Sequence, residues 1–535
     1  MKKGLKEATV ASLKYFAVWL GAILLTVLSG SAAWAQSVSS AQVSGVVRDS
    51  SGGALPGADV TITKIDTGAA RSVVTGADGA YVFPNLPVGP YQLKVELQGF
   101  NTYQQDGIVL QVSSNPQINV TLAVGTVSET VTVIANSAMV ETHSTGIGQV
   151  VDNQRVVELP LNGRQATQLI FLAGLATSAP AGDLNTNKNF PTVTISVAGG
   201  QANGMTYIMD GGTHNDPFNN LNLPTPFPDA MQEFKVETSS LPARYGHHAA
   251  SAVNIITKSG TNSIKGSAFE FNRDYHFNSK NHFATTRDSL RRNTFGGVLG
   301  GPMVKNRAFF FGGYQGQIEK TNPPTSISYI PTRAMLNGDF TAFASPACNG
   351  GVQRTLTGGF VNNQIDPARL SPIAQNFAKY LPVDQADPCG KVQYGIPNNN
   401  TEHRALTKID YTLNNQQSIF TRYLYAVYDN PATYDGKNVL TLSRTGQNNQ
   451  AHSIVVGHNF VLSSFVNALR VTYNKTLNDR PLPEFFTATD LGSKVYSPLP
   501  GYMGISVTGN GFAVGNGGTN PGYFDSDSWQ LADDV

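Results

Sequence analysis

The sequence predicts a chain dominated by β-structure: a β-sandwich, a small α+β plug domain, and then the first part, roughly eight strands, of an outer-membrane antiparallel β-barrel. Three observations predict it. The N-terminus carries a secretory leader. The first third of the mature chain has short alternating strands closed by turn signals. The last half has long aromatic strands whose connections alternate between short and long. Only helices and closed barrels satisfy backbone polar groups in lipid. No apolar run after the leader is long enough for a spanning helix, so a membrane part must be a barrel.

Composition sets the limits. The chain has 535 residues, a formal net charge of +1 and 14% charged residues. That balance gives no electrostatic footprint for nucleic acid. The 53 Gly and 29 Pro suit a turn-rich β protein. Two cysteines, Cys348 and Cys389, are too few for a disulfide scaffold or a zinc site.

The leader spans residues 1–35. Lys2, Lys3, Lys6 and Lys14 precede an apolar run over 15–28, and Ala33-Trp34-Ala35 supplies the small residues of a cleavage site before Gln36. The run is short for a membrane anchor, so the mature chain is expected outside the cytoplasm.

Residues 41–123 read as the sandwich. Strands are expected at 42–48, 58–64, 71–75, 80–84, 91–97 and 116–122, separated by Ser51-Gly52-Gly53, Ala77-Asp78-Gly79 and Val88-Gly89-Pro90. The pattern G-V-V-x-D, A-L-P-G-A-x-V and A-D-G-x-Y-x-F-x-N-L-P-V-G-x-Y resembles the carboxypeptidase regulatory-like domain. That resemblance implies a transthyretin-like sandwich without catalytic residues. Asp78 and Gly79 read as turn formers.

Residues 124–135 read as a linker. Within it Glu129, Thr130, Val131, Thr132 and Val133 alternate strictly, either as a last sandwich strand or as a free extended peptide. The stretch resembles the TonB box of TonB-dependent transporters. The resemblance implies that a TonB-type inner-membrane complex engages it as an added strand, through backbone pairing.

Residues 136–262 read as the plug. Asn153 is expected to cap a short helix ending near Glu158. Leu159-Pro160-Leu161-Asn162-Gly163-Arg164 is a turn, and 165–172 is a second helix stopped by Gly174. The glycine-rich stretches A-G-G-Q-x-N-x-x-x-Y-x-x-D-G, ending in Asp210 and Gly211, and Y-G…V-N-I-I-T-K-S-G-T-N, starting at Tyr245 and Gly246, follow. Together with L-P-L-N-G-R they resemble the plug of Oar-like TonB-dependent receptors. Arg164 is a candidate for an ion pair between plug and barrel wall, or else a solvated turn arginine. His247 and His248 are adjacent on a strand and point to opposite faces, which argues against one shared metal ion. No HExxH, P-loop, GxSxG or CxxC is present. Neither a cofactor nor a metal is expected.

From 263 to 535 the barrel strands are expected at 264–273, 293–300, 307–318, 404–413, 417–428, 447–462 and 465–477, with an eighth near Ser526. The short connections fall at 301–307, 414–416 and 463–464. The long ones span 274–292, 319–403, 429–446 and 478–525. Outer-membrane barrels have short periplasmic turns and longer extracellular loops, whereas a soluble sandwich has no reason to alternate. The segments around Gly296–Gly316 and Lys408–Tyr423 also resemble Oar-like barrels. Cys348 and Cys389 share the longest loop, where an oxidising surroundings would permit a disulfide. Plugged transporters have 22 strands, so the chain is expected to be a piece of a longer one.

The resemblance implies an outer-membrane receptor that imports an extracellular ligand with TonB-derived energy and performs no chemistry on it. Plug loop 214–223 and the long barrel loops are the expected contacts. Their Asn, Asp and aromatic content suits sugars or peptides, and the resemblance implies an oligosaccharide, peptide or siderophore as ligand. The other reading is an Oar-like surface adhesion or assembly protein that uses the barrel as an anchor in outer-membrane lipid. An enzyme is not expected.

Overall fold

The computed structural model describes residues 40–534 apart from 126–129, 135–146, 180–188, 240, 242–250, 281, 283–286, 323–325, 433, 435–437, 443–445, 463–464, 482–485, 497–500, 502, 510 and 516–521. Three units follow one another along the chain.

The first is a sandwich of two sheets. Its strands are β1 (Ala41–Asp49), β2 (Asp59–Lys64), β3 (Ala70–Val74), β4 (Ala80–Leu86), β5 (Gly89–Glu96), β6 (Thr102–Leu110), β7 (Val120–Leu122) and β8 (Thr130–Ile134). One sheet runs β4-β1-β7 and the other β3-β2-β5-β6-β8. Strict alternation in β1 and β5 sends Val43, Val47, Tyr91, Leu93 and Val95 into the core. The Tyr81 hydroxyl is buried there and donates to the Ile118 carbonyl at 2.6 Å.

One strand was not expected, and one alternative left open by the sequence is decided. Strand β6 was not expected, because Gln104, Gln105, Asp106 and Gly107 (φ +78°) break its apolar pattern. The segment read as a linker contributes β8, which pairs in parallel with β6 from Thr102↔Thr130 to Asp106↔Ile134. Pairing with β6 supplies backbone partners that a free peptide would have to find in water.

The second unit is the plug. It comprises β9 (Ile147–Asp152), α1 (Asn153–Glu158), a 3-10 segment Ala166–Ala173, β10 (Ala176–Ser178), β11 (Ile195–Val197), β12 (Met205–Met209), β13 (Gly212–Thr213), β14 (Met231–Ser239) and β15 (Ser251–Thr257). Five of these strands form a mixed sheet in the order β13-β12-β15-β14-β9, with β12 and β15 parallel. Asp152, not Asn153, caps α1, its carboxylate accepting from the Arg155 amide at 2.9 Å. The expected second helix is the 3-10 segment. Every residue of β12 and of β15 is buried, so both faces of this sheet are covered.

The third unit is an eight-stranded, fully antiparallel wall. Its strands are β16 (Lys265–Asp274), β17 (Arg291–Val304) and β18 (Ala308–Thr321), then, after a loop hairpin β19 (Ser326–Tyr329) and β20 (Lys391–Tyr394), β21 (Asn398–Asn414), β22 (Gln417–Asn430), β23 (Gln447–Leu462) and β24 (Phe465–Arg480). After a second small hairpin, β25 (Ile505–Ser506) and β26 (Ala513–Val514), β27 (Gly522–Asp534) completes it. Neighbours pair in chain order from β16 to β27, and the sheet is open. The plug packs on its inner face: Phe227, Phe234, Met205 and Met209 share one apolar cluster with wall residues Phe311, Leu406 and Leu424.

Three of the four long connections, 319–403, 429–446 and 478–525, meet in one core. Ile330, Phe377, Leu381 and Val392 from the first, Val439 and Leu440 from the second, and Leu491 and Val514 from the third make one core. Cys348 and Cys389 are joined by a disulfide in the first of these loops, with Cα atoms 5.3 Å apart.

Candidate functional site at the plug–wall interface

The turn after β12 aims one carboxylate at the wall. Asp210 (φ +51°) and Gly211 (φ +87°) are both left-handed, and this tight turn returns the chain into β13. Gly212 is needed for a different reason: a Cβ there would stand 2.3 Å from Thr472 Oγ1 of β24. Thr213 then accepts from Asn474 Nδ2 at 2.8 Å, and its amide donates to Gln530 Oε1 at 2.7 Å.

Asp210 is 3% exposed and fully engaged. It accepts from the Thr257 amide at 3.1 Å and the Thr257 hydroxyl at 2.8 Å, both on β15 of the plug. From the wall, Lys408 Nζ lies at 3.1 Å and Arg422 Nε at 3.4 Å. Lys408 and Arg422 are register partners on β21 and β22, so adjacent strands present two cations to one anion. Burial pushes the Asp210 carboxyl up, but Lys408, Arg422 and the Thr257 bonds outweigh it and hold the group below the ordinary carboxylate range. Arg422 spends its other nitrogens on the Ser453 carbonyl and hydroxyl, both at 2.9 Å, and on the Met209 carbonyl at 3.4 Å. A buried, multiply bonded ion cluster of this kind fixes geometry more than it adds net stability.

His214, beside this cluster, is fully buried. Its Nε2 lies 2.9 Å from the Pro224 carbonyl and its Nδ1 3.5 Å from Ser453 Oγ. Burial and the nearby Arg422 push its pKa down to about 3, so it is neutral at ordinary pH.

A second contact is built on Arg164 (φ +54°), which follows Gly163 (φ +70°). Arg164 pairs with Asp229 of the plug itself rather than with a wall carboxylate. Its guanidinium meets the wall through the rings of Phe269 and Phe271, 4.7 and 4.3 Å from their centroids, and donates to Gln315 Oε1 at 3.4 Å. Asn162 Oδ1 accepts from Arg292 at 2.7 Å and Arg273 at 3.0 Å, both on the wall. The turn Asn162-Gly163-Arg164 is therefore a second plug–wall fastening.

Other predicted residues are placed as follows. Thr130, Val131, Thr132 and Val133 lie exposed on the edge strand β8. Glu129, Tyr245, Gly246, His247 and His248 lie outside the described residues. The plug loop 214–223, expected as an open ligand surface, is largely buried: Asp216 and Asn222 are hydrogen-bonded to Asn189 and Thr192, and Leu223 packs inside. Pro217 and Phe218 are its exposed members, and the Phe218 ring packs tilted against Phe524 of β27 with centroids 5.0 Å apart. Among the described residues no group of three or more His, Cys, Asp or Glu is placed to hold a metal ion.

The wall cations were missed in the sequence. A signal did exist: Lys408 and Arg422 alternate with the outward Ile409, Tyr411 and Tyr423, and an inward charge in such a strand needs a partner.

Comparison with known proteins places these features. Residues 256–535 match the family model described as outer membrane beta barrel domain. Residues 42–123 match the carboxypeptidase regulatory-like domain. The chain is 27% identical over 310 residues to the TonB-dependent transporter Oar of Myxococcus xanthus, which covers 54% of this chain and 27% of that protein. Solved structures similar to it include the siderophore receptor PirA from Acinetobacter baumannii, with 15% identity, TM-score 0.39, and coverage of 65% of this chain and 42% of that one. Another is the ferric enterobactin receptor PfeA from Pseudomonas aeruginosa, with 14% identity, TM-score 0.41, and coverage of 73% and 46%. The chain spans about a quarter of the length of the curated relative that it matches.

Proposed function

Because this chain belongs to the outer membrane beta barrel domain family and resides in the outer membrane, we propose that it is the plug-bearing part of a TonB-dependent transporter that imports an extracellular ligand and performs no chemistry on it. The observation that carries this reading is the Asp210–Lys408–Arg422 cluster. A sheet buried on both faces is held against a membrane wall by one carboxylate and two cations from adjacent strands. A purely anchoring barrel needs no separate folded domain inside it, whereas a transporter needs a closure that can be moved.

In this reading the packed loops around the partly buried Tyr380 and Phe486 present the ligand surface. The stacked pair Tyr380–Phe486, with centroids 4.1 Å apart, suits an oligosaccharide, a peptide or a siderophore. Strand β8 is the coupling segment. Its outer edge is free for a partner strand among the described residues, and Val131 and Val133 are 48% and 38% exposed. A strand added there gains backbone hydrogen bonds regardless of side-chain identity. The resemblance of the Oar-like stretches makes that partner a TonB-type energy-transducing protein, and the plug segments 162–164 and 245–246 the parts that move.

A photo-crosslinking amino acid at Val131, in the full-length protein in its own outer membrane, tests the assignment. It should capture the periplasmic domain of the energy-transducing protein. Capture that fails at Val131, Thr132 and Val133 alike would remove the coupling role and leave the surface-adhesion reading.

A further inference from the structure

The sandwich does not hang free of the membrane part. The Val112 amide, just beyond β6, donates to Glu233 of plug strand β14. Val88 and Val112 form one apolar cluster with Ile256 of plug strand β15. The Asp66 carbonyl accepts from the Asn262 amide at 2.9 Å, where the plug leads into the wall. Asn85 Nδ2 donates to Asn459 Oδ1 of wall strand β23 at 3.2 Å. Asn262 in turn bonds Asn306, in the short β17–β18 turn, at 2.6 Å. The sandwich therefore covers the end of the wall that carries the short connections.

These contacts border a partly open cavity of 460 Å³ walled by all three units. Lys64 and Tyr91 come from the sandwich, Asp210 and Thr257 from the plug, and Lys408 and Arg470 from the wall. Asp210 and Lys408 also belong to the buried ion cluster, so the inner side of that cluster opens into this chamber. A solute that passed the cluster would enter a space with the sandwich as its floor.

The chain path links this floor to the exposed edge. Strand β8 pairs with β6 along five register positions, and β6 ends at Leu110, two residues before Val112. Tension on β8 thus has a route through β6 to the contact with Glu233 and Ile256, alongside the chain that continues from β8 into plug strand β9. Among the described residues Glu233 has no cationic partner: burial, with Asp152 nearby, pushes its pKa up to about 7 despite the Val112 bond. A carboxyl buried at this cost makes a contact that can be given up readily.

We propose that the sandwich is a releasable floor: a second closure, latched to the plug at Glu233 and Ile256, which a pull on β8 withdraws to open the chamber beneath Asp210. The proposal rests on the coupling reading above and adds a step that reading does not require, since a plug could also move with the sandwich still attached.

The test is thiol accessibility in the full-length protein in energised cells. Ile256→Cys is the reporter, with the wild-type protein as blank, since Cys348 and Cys389 are bonded to each other. Heat-modifiable gel mobility serves as the folding check. A membrane-impermeant biotin maleimide admitted to the periplasm should label the thiol weakly when a protonophore has collapsed the proton gradient. With the gradient intact, labelling should rise several-fold. In the Val88→Cys/Ile256→Cys double variant an oxidant should form a cross-link, and that cross-link should abolish the rise. Labelling equal with and without the gradient overturns the latch, as does a double variant that folds and never cross-links. If Val131 still captures the energy-transducing protein, the coupling reading survives that failure. If Val131 captures nothing, both fall.

Discussion

One carboxylate faces two wall cations at Asp210, so a single substitution there removes an ion pair from each. Asp210→Asn keeps the shape of the side chain and removes its charge. Lys408, at 6% exposure, and Arg422, at 0%, then remain buried with no anion between them. Breaking a buried pair in this way costs about 3–5 kcal/mol. The variant is expected to release its plug at lower urea, read as the concentration at which plug segments become open to protease. The pH dependence follows from the sign of the shift. The Asp210 carboxyl is held below its ordinary value of 3.8, so its contribution is fully present above that value and is lost as pH falls through the lowered one. The gap between wild type and variant should therefore persist from neutral pH down to about 3.8 and close only below it. The turn at Asp210-Gly211 was legible in the sequence, but its partners were not. Lys408 lies 198 residues away, and no local pattern couples positions so far apart.

At the scale of elements, the sequence was legible wherever one face of a strand is covered and the other is not. The sandwich strands β1 and β5 and the wall strands alternate visibly, and the expected spans fall within a few residues of those observed. It was less legible where that condition fails. Strands β12 and β15 are buried on both faces, so their pattern records no inside and outside. Strand β6 carries a polar run with a left-handed Gly107, and β8 belongs to the sandwich through backbone pairing, which leaves little trace in side chains. Close approach of elements was also hidden, except as a glycine. Gly212 allows β13 to lie against β24. In Gly212→Ala the new Cβ meets Thr472 Oγ1 at 2.3 Å and Val455 Cγ2 at 2.8 Å, so the turn must move off the wall. Overpacking of this kind costs about 1–3 kcal/mol. Faster hydrogen exchange of the Thr213 amide, now bonded to Gln530, is the expected signature. Thr472→Ala in the same chain should restore much of the protection, because it removes the oxygen that the methyl group meets. A double variant as labile as the single one would show that Val455, and not Thr472, sets the limit on a side chain at this position.

Across the whole molecule, the two ends of the wall are built differently, and a substitution at one should not be felt at the other. The short-turn end is closed by the sandwich through polar contacts and one small apolar cluster. The long-loop end has its own core, made by three connections that are far apart in the sequence and stapled in the first of them by Cys348–Cys389. That bond closes a loop with a sequence separation of 41, for which chain-entropy arguments give about 4 kcal/mol. The amount concerns the loop assembly, because the wall strands on either side are held by continuous antiparallel ladders. Replacing both cysteines by serine should therefore loosen the loops without unfolding the wall. The wall's heat-modifiable mobility should be unchanged, while protease added to intact cells should cut within residues 326–394 many times faster than in wild type. The aromatic pair Tyr380–Phe486 bridges the first and third loops across this core. Loss of the staple should consequently speed cleavage in the third loop as well, even though no cysteine lies there. Cleavage confined to the first loop would mean that the three connections do not form one cooperative cap, and ligand capture would then have to be assigned to a single loop.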